Sequence, residues 1–277
     1  MTRHKKISIP LILGFIFLCV FAVIELYPFI WMIISGCKAN EEMLLSAFSL
    51  PSVWHWENYA KAWNSGISKY FVNSVITTLV STVLIVFLSA FAAYPLARMK
   101  FKGRHAVLMF ILGGLMLSPM VSLIPLYKMF SATGIYNTYA AMIIPYVAFQ
   151  IPFTVFLIWS NFITLPHDIE ESAEIEGCGT MRILVQLIMP ISIPMIITAA
   201  VLAGRYVWNE MLFALCFIED SALKTIPVGL LGLRSQTATD WSVLVAGLAL
   251  STIPVVIAFI FSQKYLMRGM TAGSVKM

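Results

Sequence analysis

Residues 71–96 read FVNSVITTLVSTVLIVFLSAFAAYPL, twenty-six positions without one Asp, Glu, Lys or Arg. As a helix this run is about 39 Å long at roughly 1.5 Å per residue, enough to cross a hydrocarbon core of about 30 Å. Five further, predominantly apolar runs share its length class: 10–34, 106–126, 139–163, 191–217 and 243–261. Six such runs predict an all-α membrane protein with six transmembrane helices and both termini on one side. The expected organisation is a single transmembrane domain over residues 1–277.

The rest of the chain agrees with that reading. Of 277 residues, 60% are hydrophobic and 11% charged, whereas a soluble domain carries about 25% charged residues. There is too little polar surface to clothe a water-soluble globule. Disorder is excluded by the apolar content. A disulfide scaffold is excluded because Cys19, Cys37, Cys178 and Cys216 lie far apart, with no metal-ligand spacing among them. The first run follows Arg3, Lys5 and Lys6, but it is too long for a signal-peptide core and ends in no small-residue cleavage site. A retained signal-anchor is expected.

Charge sets the orientation. The N-tail, the Arg98–Arg104 turn, the 164–190 loop and the C-tail together hold eleven Lys and Arg, against six in the opposite loops. That excess places both termini in the cytoplasm. The net charge of +5 is thus an orientation signal beside lipid rather than a nucleic-acid surface. On the outer side, Trp54, Trp56, Tyr59 and Trp63 lie among polar residues, a composition suited to the membrane–water boundary and equally to a partner's surface, and a short interfacial helix is expected there.

The cytoplasmic loop after the fourth run is the least ordinary segment. Pro166 suits a first helical turn. Asp168, Glu170 and Glu171 then complement a helix N-terminal dipole, and Glu174 and Glu176 extend the acidic stretch. Gly177-Cys-Gly179 breaks the helix, and Thr180 can cap a second one running towards Pro190. A solvated acidic loop would account for the charge alone. Ile169, Ala173 and Ile175 among the acids also offer apolar contacts to a basic partner. A dinucleotide site is a poor fit, since a third glycine and a preceding parallel strand are both missing.

Glu171-Ser-Ala-Glu-Ile-Glu-Gly-Cys, with Pro190 nineteen residues after its first glutamate, resembles the E-A-A-x-x-D-G-A signature of permease subunits in binding-protein-dependent ABC importers. Glu171, Ala173, Gly177 and Pro190 match; Ser172, Glu176 and Cys178 are modest departures. Ala93-Tyr-Pro-Leu-Ala-Arg98, Phe101-Lys-Gly-Arg104, Trp208-Asn-Glu210 and the tail from Gln263 to Lys276 extend the likeness towards the carbohydrate-uptake branch, which includes the maltose permeases. The resemblance covers nearly the whole chain.

That resemblance implies a bacterial or archaeal cell-membrane protein with the type I importer permease fold. The helix around Glu170, Glu171, Ala173, Glu174, Glu176 and Gly177 would be a coupling helix seated in a cytoplasmic ATPase. Gly273, Ser274 and Lys276 would reach towards the ATPase dimer interface. The implied partners are a second, similar permease chain, two copies of the ATPase and an extracytoplasmic solute-binding protein, besides membrane lipid. ATP and Mg would be bound by the ATPase copies and no cofactor by this chain, which contains no G-x-x-x-x-G-K-[ST] phosphate loop.

One intramembrane cluster remains. Arg205, Tyr206, Asn209, Glu210 and Phe213 share an arc if the fifth run is one continuous helix at roughly 100° per residue. Ionisable groups at such depth face a bundle interior or a water-filled cavity. Polar groups beside aromatic faces suit a sugar, so the arc reads either as a solute path or as an interhelical clamp. A permease for a non-sugar solute is the nearest alternative. An ion-coupled secondary transporter is less favoured, because no inverted repeat is evident and Glu210 is its sole candidate proton carrier. An intramembrane enzyme ranks last, since His4, His55, His105 and His167 fall in the tail or loops.

Overall fold

The computed structural model describes residues 9–233 and 239–272, with side chains for 12–233 and 239–265. Among these residues there are helices and turns and no strand. The predicted tail contacts Gly273, Ser274 and Lys276 lie outside the described residues.

Among the described residues, four helices are long and apolar enough to cross a membrane singly, and two bent pairs raise the number of spans to as many as six. The single spans belong to α1 (Ile9–Ser35), α4 (Ser68–Arg98), α7 (Tyr139–Phe162) and α14 (Trp241–Ala272), with short α2 (Asn40–Leu45) and α3 (Glu57–Ala62) in the first outer segment. The helices α1, α4 and α7 begin and end near their predicted runs, because an unbroken apolar stretch leaves the backbone no partner in lipid except its own helix; α14 starts near its run but continues past the predicted end at 261.

The third run departs from expectation. Instead of one span over 106–126, α5 (Arg104–Gly113) and α6 (Pro119–Thr133) meet at 95°. Gly113 and Gly114 end the first helix, Leu117 and Ser118 are extended, and Pro119 opens the second. Proline suits a first turn and glycine is a weak helix former. Gly114 also lets the backbone approach Pro152 of α7, where a Cβ would come within 2.8 Å of the ring.

After α7 come α8 (Asp168–Ile175), α9 (Thr180–Ile183), a π-helical turn (Leu184–Ile188) and α10 (Met189–Ile191). The stretch Thr180–Ile191 meets α11 (Ile193–Trp208) at 82°. This is the predicted surface helix turning into a span, with Pro194 in the first turn of α11. Then follow α12 (Leu212–Phe217) and α13 (Ile226–Gly232).

Two compact units emerge, Met1–Ser68 with Leu230–Ile253, and Lys69–Gly229 with Pro254–Met277. In the first, every residue of α1 from Ile12 to Ile30 is exposed, an apolar surface that its own chain leaves uncovered. The outer end of this unit is tied by polar bonds. Lys38 is fully buried and donates to the carbonyls of Ser46 and Ala47 at 2.8 and 2.9 Å. Asn58 donates to Gly36 and Lys38 oxygens, and the Trp31 indole to Ala47. Trp54 and Trp56 stack with ring centres 5.7 Å apart, both exposed. The expected boundary segment thus holds two short helices rather than one. Burial pushes the Cys37 thiol up, and all four cysteines are free.

The second unit has an outer and a cytoplasmic apolar cluster. The outer one joins Ile85, Phe130, Met142, Tyr146, Ala203, Phe213 and Phe217 with their neighbours. Above it, Asn73 donates to the carbonyls of Ala222 and Lys224, Tyr139 donates to Asn73, and Ser74 accepts from Ile226 N–H. Asn137, at φ +58°, accepts from the Glu219 and Asp220 amides. Tyr136 donates to Glu219 at 2.9 Å; burial, then that carboxylate, push its phenol up. The cytoplasmic cluster joins Ala93, Tyr94, Leu96, Ile158, Phe162, Ala173, Ile183, Leu184 and Ile188.

Candidate functional site

The cytoplasmic cluster carries α8 on its surface. Three carboxylates fill the first turn of α8, where they oppose the partial positive charge of unpaired N–H groups. The helix ends as its sequence requires. Cys178 N–H donates to Ala173 O and Gly177 N–H to Glu174 O, both at 2.9 Å, the bond pair of a Schellman cap. Gly177 sits at φ +81° with nothing within 4 Å of where a Cβ would stand. It is there for its backbone freedom, not for space.

The faces of α8 divide its residues. Glu171, Glu174 and Glu176 are exposed, as are Gly177 and Ile175, the latter at 88%. Ala173 is buried in the cytoplasmic cluster and Glu170 is turned inward beside it. Glu170 Oε1 lies 2.9 Å from Arg98 Nε, with the two side chains 11% and 2% exposed. Of the six residues expected to meet an ATPase, the structure offers four outward and takes Glu170 and Ala173 for internal packing. The cause is helical spacing: residues three apart share a face, whereas neighbours 170 and 171 do not.

Arg98, in the last turn of α4, does more than pair. Its Nη2 donates to Leu165 O at 2.9 Å and Pro166 O at 3.4 Å, and Nη1 lies 3.3 and 3.4 Å from the His167 ring nitrogens. Nearby, the Trp159 indole donates to Leu96 O, satisfying a terminal carbonyl of α4. In the sequence Arg98 closes the Ala93–Arg98 stretch and opens a basic turn. Its carboxylate partner, on a distant helix, gives no local signal.

The fifth span corrects the second predicted cluster. The helix α11 stops at Trp208, so Arg205 through Phe213 do not form one continuous arc. Asn209 is exposed and donates its side-chain amide to Arg205 O at 2.7 Å, closing the helix end. Glu210 Oε1 accepts from Phe213 N–H at 3.1 Å and so serves the first turn of α12. Phe213 is fully buried against Tyr146, Phe149 and Phe217, with ring centres 6.4, 5.4 and 5.9 Å away. It is therefore core and does not line an open path. Arg205 remains exposed and Tyr206 half-buried. Among the described residues, no cluster of three His, Cys, Asp or Glu could hold a metal ion.

Residues 85–272 match the family model described as "Binding-protein-dependent transport system inner membrane component". The chain belongs to this family. As a member it is a multi-pass inner-membrane permease component of an ABC transport system, working with a separate ATPase subunit, a partner permease and a binding protein. It is 46% identical to the "Probable ABC transporter permease protein YurM" of Bacillus subtilis, over 94% of this chain and 87% of that one. It is 35% identical to the "Trehalose/maltose transport system permease protein MalG" of Thermococcus litoralis, over 97% and 96%. It is 33% identical to the "Diacetylchitobiose uptake system permease protein NgcG" of Streptomyces coelicolor, over 93% and 86%. The fold is shared with a solved bacterial ABC transporter "involved in the import of the acidic polysaccharide alginate", at TM-score 0.78 and 19% identity, over 96% of this chain and 99% of that chain.

Proposed function

We propose that this permease forms half of the translocation pathway of an ATP-driven importer for an oligosaccharide, and that α8 is its contact with the motor. The outward face of α8 carries the coupling part of this reading. Glu171, Glu174 and Glu176 surround the protruding Ile175, an acidic rim about an apolar knob, while the opposite face is fixed to the cytoplasmic cluster. Such a face fits a cleft with a basic rim and an apolar floor, since rim charges steer docking and a buried apolar centre holds it.

The substrate class rests on relatives named for diacetylchitobiose and for trehalose and maltose, aligned over 86% and 96% of their own lengths. In the fifth span, the exposed Arg205 and Asn209 and the half-buried Tyr206 supply donors, an acceptor and a ring face of the kind sugar hydroxyls and C–H faces need. Glu210 and Phe213 support that wall from behind. The chain supplies no hydrolytic chemistry; two ATPase copies bind ATP and Mg, and a different six-span chain completes the pore.

The test is reconstitution in proteoliposomes with the co-purifying ATPase, partner permease and binding protein, using labelled di- to tetrasaccharides. ATP-dependent uptake of at least one is expected. Glu171→Ala should weaken ATPase docking about tenfold, near 1.4 kcal/mol, or uncouple hydrolysis from uptake. Unchanged docking, hydrolysis and uptake would rule out the coupling role. Uptake of no sugar by a complex that hydrolyses ATP in response to its binding protein would rule out the substrate class.

A further inference from the structure

We infer that Arg98 is the tie through which movement of α8 reaches the second span, so that the adjacent carboxylates Glu170 and Glu171 divide one task between them. Glu171 faces the motor and Glu170 faces the bundle. This rests on α8 being the motor-facing helix.

Three elements converge on one guanidinium. Arg98 itself ends α4; its Nε meets Glu170 Oε1 of α8 at 2.9 Å; its Nη2 donates to the carbonyls of Leu165 and Pro166, in the turn that leaves α7. An exposed ion pair of this kind would contribute little. With the two side chains only 2% and 11% exposed, removing either partner leaves the other charge buried and uncompensated. The guanidinium fork also fixes direction: Nη2 reaches the two carbonyls while Nε keeps its 2.9 Å charge contact with Glu170 only if α4, the α7 exit and the start of α8 keep one mutual arrangement. Apolar contact through Ala173 holds α8 down but resists sliding weakly. The fork resists it, which makes Arg98 a positioning residue for coupling and not a contact of the ATPase.

The experiment uses the full reconstituted complex and reads two quantities, ATPase retained on purification and ATP hydrolysed per sugar imported. The variants are Arg98→Lys, which keeps the charge but loses the fork, and Glu170→Gln, which keeps the shape but loses the charge. Glu171→Ala is the reference for the motor-facing side. Arg98→Lys and Glu170→Gln are expected to retain the ATPase as wild type does, yet to consume about fivefold more ATP per sugar, the lower end of usual coupling energies. Glu171→Ala is expected to lose ATPase on purification. A wild-type ratio in both Arg98→Lys and Glu170→Gln overturns the tie, and so does ATPase loss equal to that of Glu171→Ala. If Glu171→Ala keeps both docking and the wild-type ratio, it is the motor-facing reading that fails. Thermal stability separates lost coupling from lost fold: Glu170→Gln, which strands the buried Arg98 charge, is expected to melt lower, whereas Arg98→Lys keeps both charges and is expected to stay nearer wild type.

Discussion

Gly177 and Lys38 show how single residues set local structure here. At φ +81° with open space around it, Gly177 would incur only a backbone penalty on gaining a side chain, about 1–2 kcal/mol. Gly177→Ala should therefore loosen the end of α8 and reduce ATPase co-purification, while Gly177→Asn, which tolerates that conformation better, should fall between alanine and wild type. Equal retention of the ATPase by all three would remove the turn from the docking argument. Lys38 is the opposite case, a fully buried ammonium whose acceptors are two carbonyls and, more distantly, the Ser49 hydroxyl. Lys38→Met strands those carbonyls at a cost of about 1–3 kcal/mol each. Scanning calorimetry of the detergent-solubilised protein should show a melting temperature several degrees lower, since each kcal/mol lost lowers it by about 2–4 °C in chains near this size. The acidic turn of α8 and its glycine stop were legible because both act within one helical turn. The inward set of Glu170 and the grip of Arg98 were not, because they depend on which face meets the bundle.

Among the helices, legibility followed continuity. The bounds of α1, α4 and α7 and the start of α14 follow from unbroken apolar runs, but hydropathy averages across a bend and so merged α5 with α6. The breakers were visible as Gly113-Gly114 and Ser118-Pro119; their 95° consequence was not, since it depends on what the two halves pack against. The close approach of Gly114 to Pro152 supplies a test of that packing. Gly114→Ala places a methyl about 2.8 Å from a rigid ring and should destabilise the protein by about 1–3 kcal/mol. Adding Pro152→Ala should recover part of the loss, and a double-mutant cycle measured by thermal unfolding checks it. Additive effects would mean that α5 and α7 do not press on each other there. The break after Trp208 defeats the arc of the fifth run in the same way: positions counted around one helix do not keep their register across a non-helical interruption.

For the whole molecule, lipid orientation is the strongest expectation. Eleven basic residues against six put the Arg98–Arg104 turn and α8 on the cytoplasmic side. A Lys102→Cys variant with the four native cysteines changed to alanine should react with a membrane-impermeant maleimide in inverted vesicles and stay unlabelled in right-side-out ones. The reverse pattern would invert every assignment made for α8. Much of the apolar surface, α1 above all, is exposed in the isolated chain. That is the expected state of a subunit whose surroundings are acyl chains and other subunits.

The 82° turn at Ser192 gives the cytoplasmic face a crank. Thr180–Ile191 is an arm about 18 Å long at roughly 1.5 Å per residue, lying across the axis of the span it feeds. A shift of about 3 Å at the tip of such an arm is geometrically a twist of about 10° in the span at its hub. A small stroke at the membrane surface would thereby become torque on α11, and the stretch that carries Arg205 and Tyr206 would turn rather than slide.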